Sequence, residues 1–396
     1  MLRFFRISTV PTTEGSTWLE LFFDLIYVAI LIEMGDRLAH DLTVQGVTEF
    51  ALLFILIFWS WLGIVFFTRY FPADDIGQRI LTVTYMAIII LLAFEIHSVT
   101  KESAPAFTMT YGVSKVILVL MYARAWKYHK KYRFLTGYFI VIYTIAAIIW
   151  FGIALFAPTN FALWAVALSL SVLAPALVGW FYQWRNNSAL VVPPVKHHYK
   201  QHRFGELTLI VLGEFFIKLV TNASGTELIA FNYFIGACLL GISVGIWWLY
   251  FDHLSNASLK GRGSNTNIWM YLHYPLLAAI AAYGVVGYKI FELSPGEVMA
   301  DEIRYVFSFA LAIAILALGG VEWASPEEEG PMARGRKGWI RAISAVILIA
   351  LAFIGGQLAA GIFVILVMLV FLVQVLLDIK SRVGSNRVHT NEEVLL

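Results

Sequence analysis

Residues 202–218 read H-R-F-G-E-L-T-L-I-V-L-G-E-F-F-I-K, from His202 to Lys218. The run opens an apolar helix long enough to cross most of a bilayer, yet it carries Glu206, Glu214 and Lys218 along its length. A charge at the centre of a membrane helix costs about 2.5–3.5 kcal/mol on insertion scales, so such residues face protein or water, not lipid. This helix is therefore expected to line something. Glu214 and Lys218 lie on neighbouring turns of one face with the acid first, the favourable order for a pair. Gly213 beside them is expected to admit another backbone at close range. Two roles stay open for the pair: a structural ion bridge, or a switch in which protonation of Glu214 competes with Lys218. Glu206 is shallower, either an interfacial group or part of a site.

Working outward, the whole chain fits a membrane setting. Its 396 residues are 60% hydrophobic and only 14% charged, and the mean hydropathy is +0.77, a balance that leaves too little charge to cover a soluble surface. The single cysteine, Cys238, sits in an apolar run and cannot form an internal disulfide. The first residues carry Arg3 and Arg6 but neither a continuous apolar stretch nor a small-residue cleavage site, so no removable signal peptide is expected. Apolar runs of spanning length occur at 17–34, 47–68, 78–97, 107–125, 134–156 and 161–182, and again at 204–221, 229–251, 268–289, 303–321, 338–354 and 357–378. The last two share one run too long for a single span, and Gly355-Gly356 is its natural break. The expected fold is an all-α polytopic membrane bundle of about twelve transmembrane helices. A cytoplasmic tail (1–16) leads into a six-helix half (17–182). A polar linker (183–203) with Pro193-Pro194 and His197, His198 and His202 precedes a second six-helix half (204–379) and a C-terminal tail (380–396).

Of the 28 Lys and Arg, 22 fall in the tails and on one side of the membrane if the N-terminus is inside, and four (Arg37, Lys101, Lys289, Arg304) fall on the other. That bias predicts both termini to be cytoplasmic. The halves also resemble each other. Glu20-Leu21 and Glu206-Leu207 open the first and seventh spans, W-S-W-L-G-I-V-F-F-T-R-Y in the second matches V-G-I-W-W-L-Y-F-D-H in the eighth, and T-V-T-Y in the third matches Y-L-H-Y-P in the ninth. Six spans per copy is even, so two copies would share orientation as parallel repeats.

The first span, W-L-E-L-F-F-D-L-I-Y-V, together with R-F-G-E-L-T-L-I-V-L-G-E in the seventh, resembles the bacterial low temperature requirement A (LtrA) family. That resemblance implies a twelve-span integral membrane protein of the bacterial inner membrane, with an E-L-F-F-D-L motif near the N-terminus and R-F-G…V-L-G-E at mid-chain. It also implies a part in a stress response, growth at low temperature. Where the family pattern places an acid before R-F-G and an apolar residue after it, this chain has His202 before and Glu206 after.

The residues that can carry chemistry cluster on two spans. Glu20, Asp24 and Tyr27 share one stripe of the first, and Asp24 lies roughly 10 Å into the membrane at about 1.5 Å per residue. They are candidates for proton or cation binding; the structural alternative is an ion pair of Asp24 with Arg203 or Arg69. Lys115 is a cation within the fourth span whose partner is expected among the first-span acids or Glu95. His273, beside Tyr271, Tyr274 and Pro275, is a mid-membrane imidazole near an expected kink. Asp252-His253, and Glu95 with His97, read as interfacial groups. The linker histidines with Glu206 lack H-E-x-x-H or paired cysteines, so no metal is expected, and no cofactor. Gly-rich phosphate loops, nucleophile elbows and nucleotide domains are absent from the sequence. The basic aromatic loop R-A-W-K-Y-H-K-K-Y-R suits anionic lipid head groups, not nucleic acid. The leading expectation is a secondary transporter or permease of the cytoplasmic membrane rather than an enzyme, moving an unknown small molecule or ion. Its site would lie between the halves, with Asp24 and Glu214 coupling to protons or substrate and Glu20, Lys218 and Arg203 as partners. The alternatives are a membrane enzyme or lipid-handling protein, and a structural or sensory protein that moves nothing.

Overall fold

The computed structural model describes residues 17–72, 75–99, 102–184, 197–223, 227–256, 264–325 and 334–394. Among these there are twelve α-helices and no strand, apart from one isolated bridge between Val298 and Ala359. In chain order they are α1 (Trp18–His40), α2 (Val44–Tyr70), α3 (Ile76–Glu95), α4 (Ala104–Tyr128), α5 (Arg133–Phe156), α6 (Phe161–Trp184), α7 (His197–Ala223), α8 (Ala230–Asn256), α9 (Ser264–Phe291), α10 (Asp301–Ala324), α11 (Arg334–Ile354) and α12 (Ala360–Val394). Ten of them, α2–α6 and α8–α12, are long and apolar enough to cross a membrane, and the protein is multi-pass. The other two, α1 and α7, match them in length but hold the acids and bases singled out above. The tail 1–16 and linker residues 185–196, with Pro193-Pro194, lie outside the described residues.

Local sequence sets the helix ends. Thr17 and Glu20 form a reciprocal capping box at the start of α1: the Thr17 amide donates to Glu20 Oε2 (2.8 Å) and the Glu20 amide to Thr17 Oγ1 (3.3 Å). Asp75 caps α3 through the Gln78 amide, and Pro105 occupies the first turn of α4, where no amide is required. The long apolar run breaks at a 3-10 turn, Gly355–Gln357, as Gly355-Gly356 predicts. A Cβ on Gly355 would lie 2.5 Å from the Phe363 ring, so only glycine fits there. Pro275 does not break α9, which runs continuously past it.

The chain divides into two compact units, residues 1–37 with 49–206, and residues 38–48 with 207–396; α7 starts in the first and ends in the second. Within the first unit α4 packs on α3 and α5, and α5 on α6. Within the second α10 packs on α9 and α11, while α12 packs on α8. Each core is rich in aromatics. Trp61, Trp150, Tyr85 and Tyr111 are wholly buried in the first unit, and Trp269, Tyr250 and Tyr283 in the second.

Candidate functional site

In the first unit the two sequence motifs meet. Asp24 sits on the second turn of α1 and Arg203 near the start of α7, both 0% exposed. Arg203 Nη2 donates to Asp24 Oδ1 at 2.6 Å, and Trp61 Nε1 of α2 donates to the same oxygen at 2.8 Å. The other oxygen, Oδ2, is buried without a hydrogen-bond partner among the described residues. The pair is thus held on one edge, unlike the bidentate fork that satisfies a buried carboxylate most fully. Trp61 is fixed in turn: Phe204 meets its ring edge-on at 5.1 Å and Phe58 stacks at 6.0 Å. Arg203 also lies 5.9 Å from the Trp61 ring centre. Of the two partners open to Asp24 in the sequence, the fold joins it to Arg203; Arg69 lies against Tyr70. Glu206, half-buried, follows Arg203 by one turn of α7.

Tyr27 points to a different set of partners. Ser60 Oγ donates to the Ile57 carbonyl (2.9 Å), so the Tyr27 hydroxyl donates to Ser60 Oγ (2.9 Å), and the Tyr85 hydroxyl donates to the Ser60 carbonyl (3.0 Å). This network ties α1 to α2 and α3, while Asp24 turns to α7. Glu20 is occupied in the capping box.

In the second unit Glu214 and Lys218 do form the expected pair, at 3.4 Å, with both side chains buried. The close approach expected at Gly213 lies elsewhere. A Cβ on Gly213 would meet nothing within 4 Å, whereas Cβ atoms on Gly284 and Gly287 of α9 would come within 3.0 and 3.1 Å of the Phe215 side chain. Phe215 points off α7 on another face from Gly213, so the small residues that matter belong to the helix it packs against. His273 is wholly buried and held at both ring nitrogens, by the Trp269 carbonyl at Nδ1 (2.7 Å) and Tyr250 Oη at Nε2 (3.0 Å). A carbonyl only accepts, so Nδ1 carries a proton and donates it to Trp269. The Thr208 hydroxyl bonds Tyr250 in turn.

The remaining residues scatter. Lys115 is buried, but neither a first-span acid nor Glu95 reaches it; Glu95 accepts from Thr110 at 2.9 Å. His97 lies 3.7 Å from Glu33, His202 is exposed, and the side chains of His197, His198 and His253 lie outside the described residues. No group of three potential metal ligands occurs among the described residues. Two buried clusters escaped the sequence reading. Arg124 bonds Asp75 and approaches Gln78 in the first unit. Arg341 bonds Glu322 (2.8 Å) and Gln374 in the second. Both arginines counted as loop charge; the available signal was Gln374, an amide deep within the most apolar run of the chain.

Compared with known proteins, residues 15–377 match the family model described as bacterial low temperature requirement A protein (LtrA). The uncharacterized protein RA0937 of Rhizobium meliloti (strain 1021) is 24% identical over 322 residues, covering 77% of this chain and 75% of that protein. The match takes in both motifs that meet at Asp24 and Arg203, and the chain belongs to the bacterial low temperature requirement A family.

Proposed function

We propose that the protein is a secondary transporter of the bacterial cytoplasmic membrane, with both termini cytoplasmic, in which Asp24 and Arg203 form a proton-operated latch. The observation that carries this reading is the one-edged pair: Asp24 is completely buried, and both donors crowd Oδ1 while Oδ2 has no hydrogen-bond partner among the described residues. A proton arriving at Oδ2 removes the negative charge without displacing either donor. The attraction holding Arg203 falls, and the link between α1 and α7 loosens. The charge bias of the loops supports the orientation.

Each half carries a buried tyrosine that bonds a neighbouring helix. In the first unit the Tyr85 hydroxyl of α3 bonds the Ser60 carbonyl of α2, and the Phe23 ring of α1 lies 6.0 Å from Tyr85. In the second the Tyr283 hydroxyl of α9 bonds the Leu239 carbonyl (2.6 Å) and Ser243 (3.1 Å) of α8, and the Phe215 ring of α7 lies 5.4 Å from Tyr283. The bond joins the second and third helices of each half, though Tyr283 lies nine residues beyond Tyr274, the residue that the sequence match sets against Tyr85.

The test is proton flux in liposomes reconstituted with the purified protein under an imposed pH gradient. Wild-type protein dissipates the gradient and Asp24→Asn, which imitates the protonated carboxyl permanently, does not. Equal dissipation by both proteins, or none by either, refutes the latch.

A further inference from the structure

We propose that Lys115 and Trp150 form a binding site for a small, weakly hydrated monovalent anion in the core of the first unit. Lys115 lies on the buried face of α4 with Tyr111, Ser114, Leu118 and Tyr122, while Met109, Val113 and Leu120 occupy the exposed face. Its Nζ is fully buried, yet among the described residues it has neither a hydrogen-bond partner nor an ion pair. The other buried cations among the described residues are matched: Arg203 with Asp24, Lys218 with Glu214, Arg304 with Asp301 and Arg341 with Glu322. The contact Lys115 does make is with the Tyr111 ring, whose centre lies 4.2 Å from Nζ. A ring face attracts a cation but does not replace a counter-charge.

A second orphan stands beside the same ring. Trp150 of α5 is 0% exposed, and its Nε1 has no hydrogen-bond partner among the described residues. Its ring meets Tyr111 at 4.6 Å, close to edge-on. The ammonium and the indole N–H are both donors, so neither satisfies the other. Three hydroxyls around the ring direct their protons elsewhere, Tyr111 to the Leu56 carbonyl, Ser114 to the Tyr111 carbonyl and Tyr85 to the Ser60 carbonyl. An anion is the acceptor that would satisfy both donors and also supply the counter-charge that the buried lysine lacks. Aromatic walls set its type: Trp164 meets Trp150 at 5.7 Å and stacks on Phe107 at 5.5 Å. Such walls replace little hydration, which excludes sulfate or phosphate and favours nitrate or iodide. One anionic charge neutralises the one lysine.

The site does not draw on the Asp24 latch, and its test requires no flux. Thermal unfolding of the purified full-length protein is followed while potassium nitrate replaces potassium gluconate at constant ionic strength. The expected result is a saturable nitrate-dependent rise in Tm for wild type, retained by Lys115→Arg and abolished in Lys115→Met. Trp150→Phe removes a hydrogen bond to a charged group and shifts the half-saturating nitrate concentration upward by about tenfold or more. Absence of a saturable nitrate effect in wild type overturns the proposal, and so does an equal effect in Lys115→Met. If Lys115→Met does not fold, unchanged nitrate affinity in Trp150→Phe overturns it.

Discussion

Replacing either member of the Asp24–Arg203 pair should cost more stability than replacing both. In Arg203→Met the Asp24 carboxylate keeps Trp61 but loses its counter-charge in a fully buried site. In Asp24→Asn the amide oxygen still accepts from Trp61, and Arg203 becomes the uncompensated ion. Breaking a buried pair from one side typically costs about 3–5 kcal/mol, because the remaining ion stays desolvated and unpaired, whereas removing both ions is often neutral. The double variant should therefore lose less than about 2 kcal/mol, giving a coupling energy of several kcal/mol where independent sites would give about 0.5 or less. One-edged geometry places each single cost toward the lower end of its range, since a fork would contribute a second charge-assisted bond. Trp61→Phe keeps the Phe204 and Phe58 packing and removes one bond to a charged acceptor, at about 1.5–3 kcal/mol. The assay is reversible chemical unfolding of the four proteins in one detergent, analysed as a double-mutant cycle. Single costs below about 1 kcal/mol, or a double variant whose loss equals the sum of the singles, would refute the argument that the pair is desolvated and coupled.

Two further outcomes test the packing and the helix start. Gly284→Val should destabilise by about 1–3 kcal/mol, because its Cβ would lie 3.0 Å from Phe215 Cβ, while Gly213→Ala, with open space around it, should stay within about 0.5 kcal/mol of wild type in the same unfolding assay. Thr17→Ala should cost about 1 kcal/mol by opening the capping box, with increased amide exchange confined to the first turn of α1 and proton flux unchanged.

What the sequence disclosed, and what it did not, follows from whether the deciding interaction is local. Helix positions were legible because each span is announced by its own hydropathy, and the α11–α12 break because an overlong run held two adjacent glycines. The capping role of Glu20 was equally local, written in T-W-L-E at 17–20, although the acid also invited a reading as a coupling group. Asp24 was legible as a residue needing a cation, but the choice between Arg203 and Arg69 depends on how α1 meets α7, and no local pattern encodes that. Lys115 makes the same point from the other side. The sequence offered it acids at Asp24 and Glu95, and the fold assigns one to Arg203 and lets the other accept from Thr110, so the lysine is buried without a counter-charge among the described residues. Hydropathy alone sets α1 and α7 apart from the ten apolar helices because of their charges. Two of those charges are the groups that join them, so the departure from the apolar pattern marks the interaction a bilayer helix would otherwise avoid.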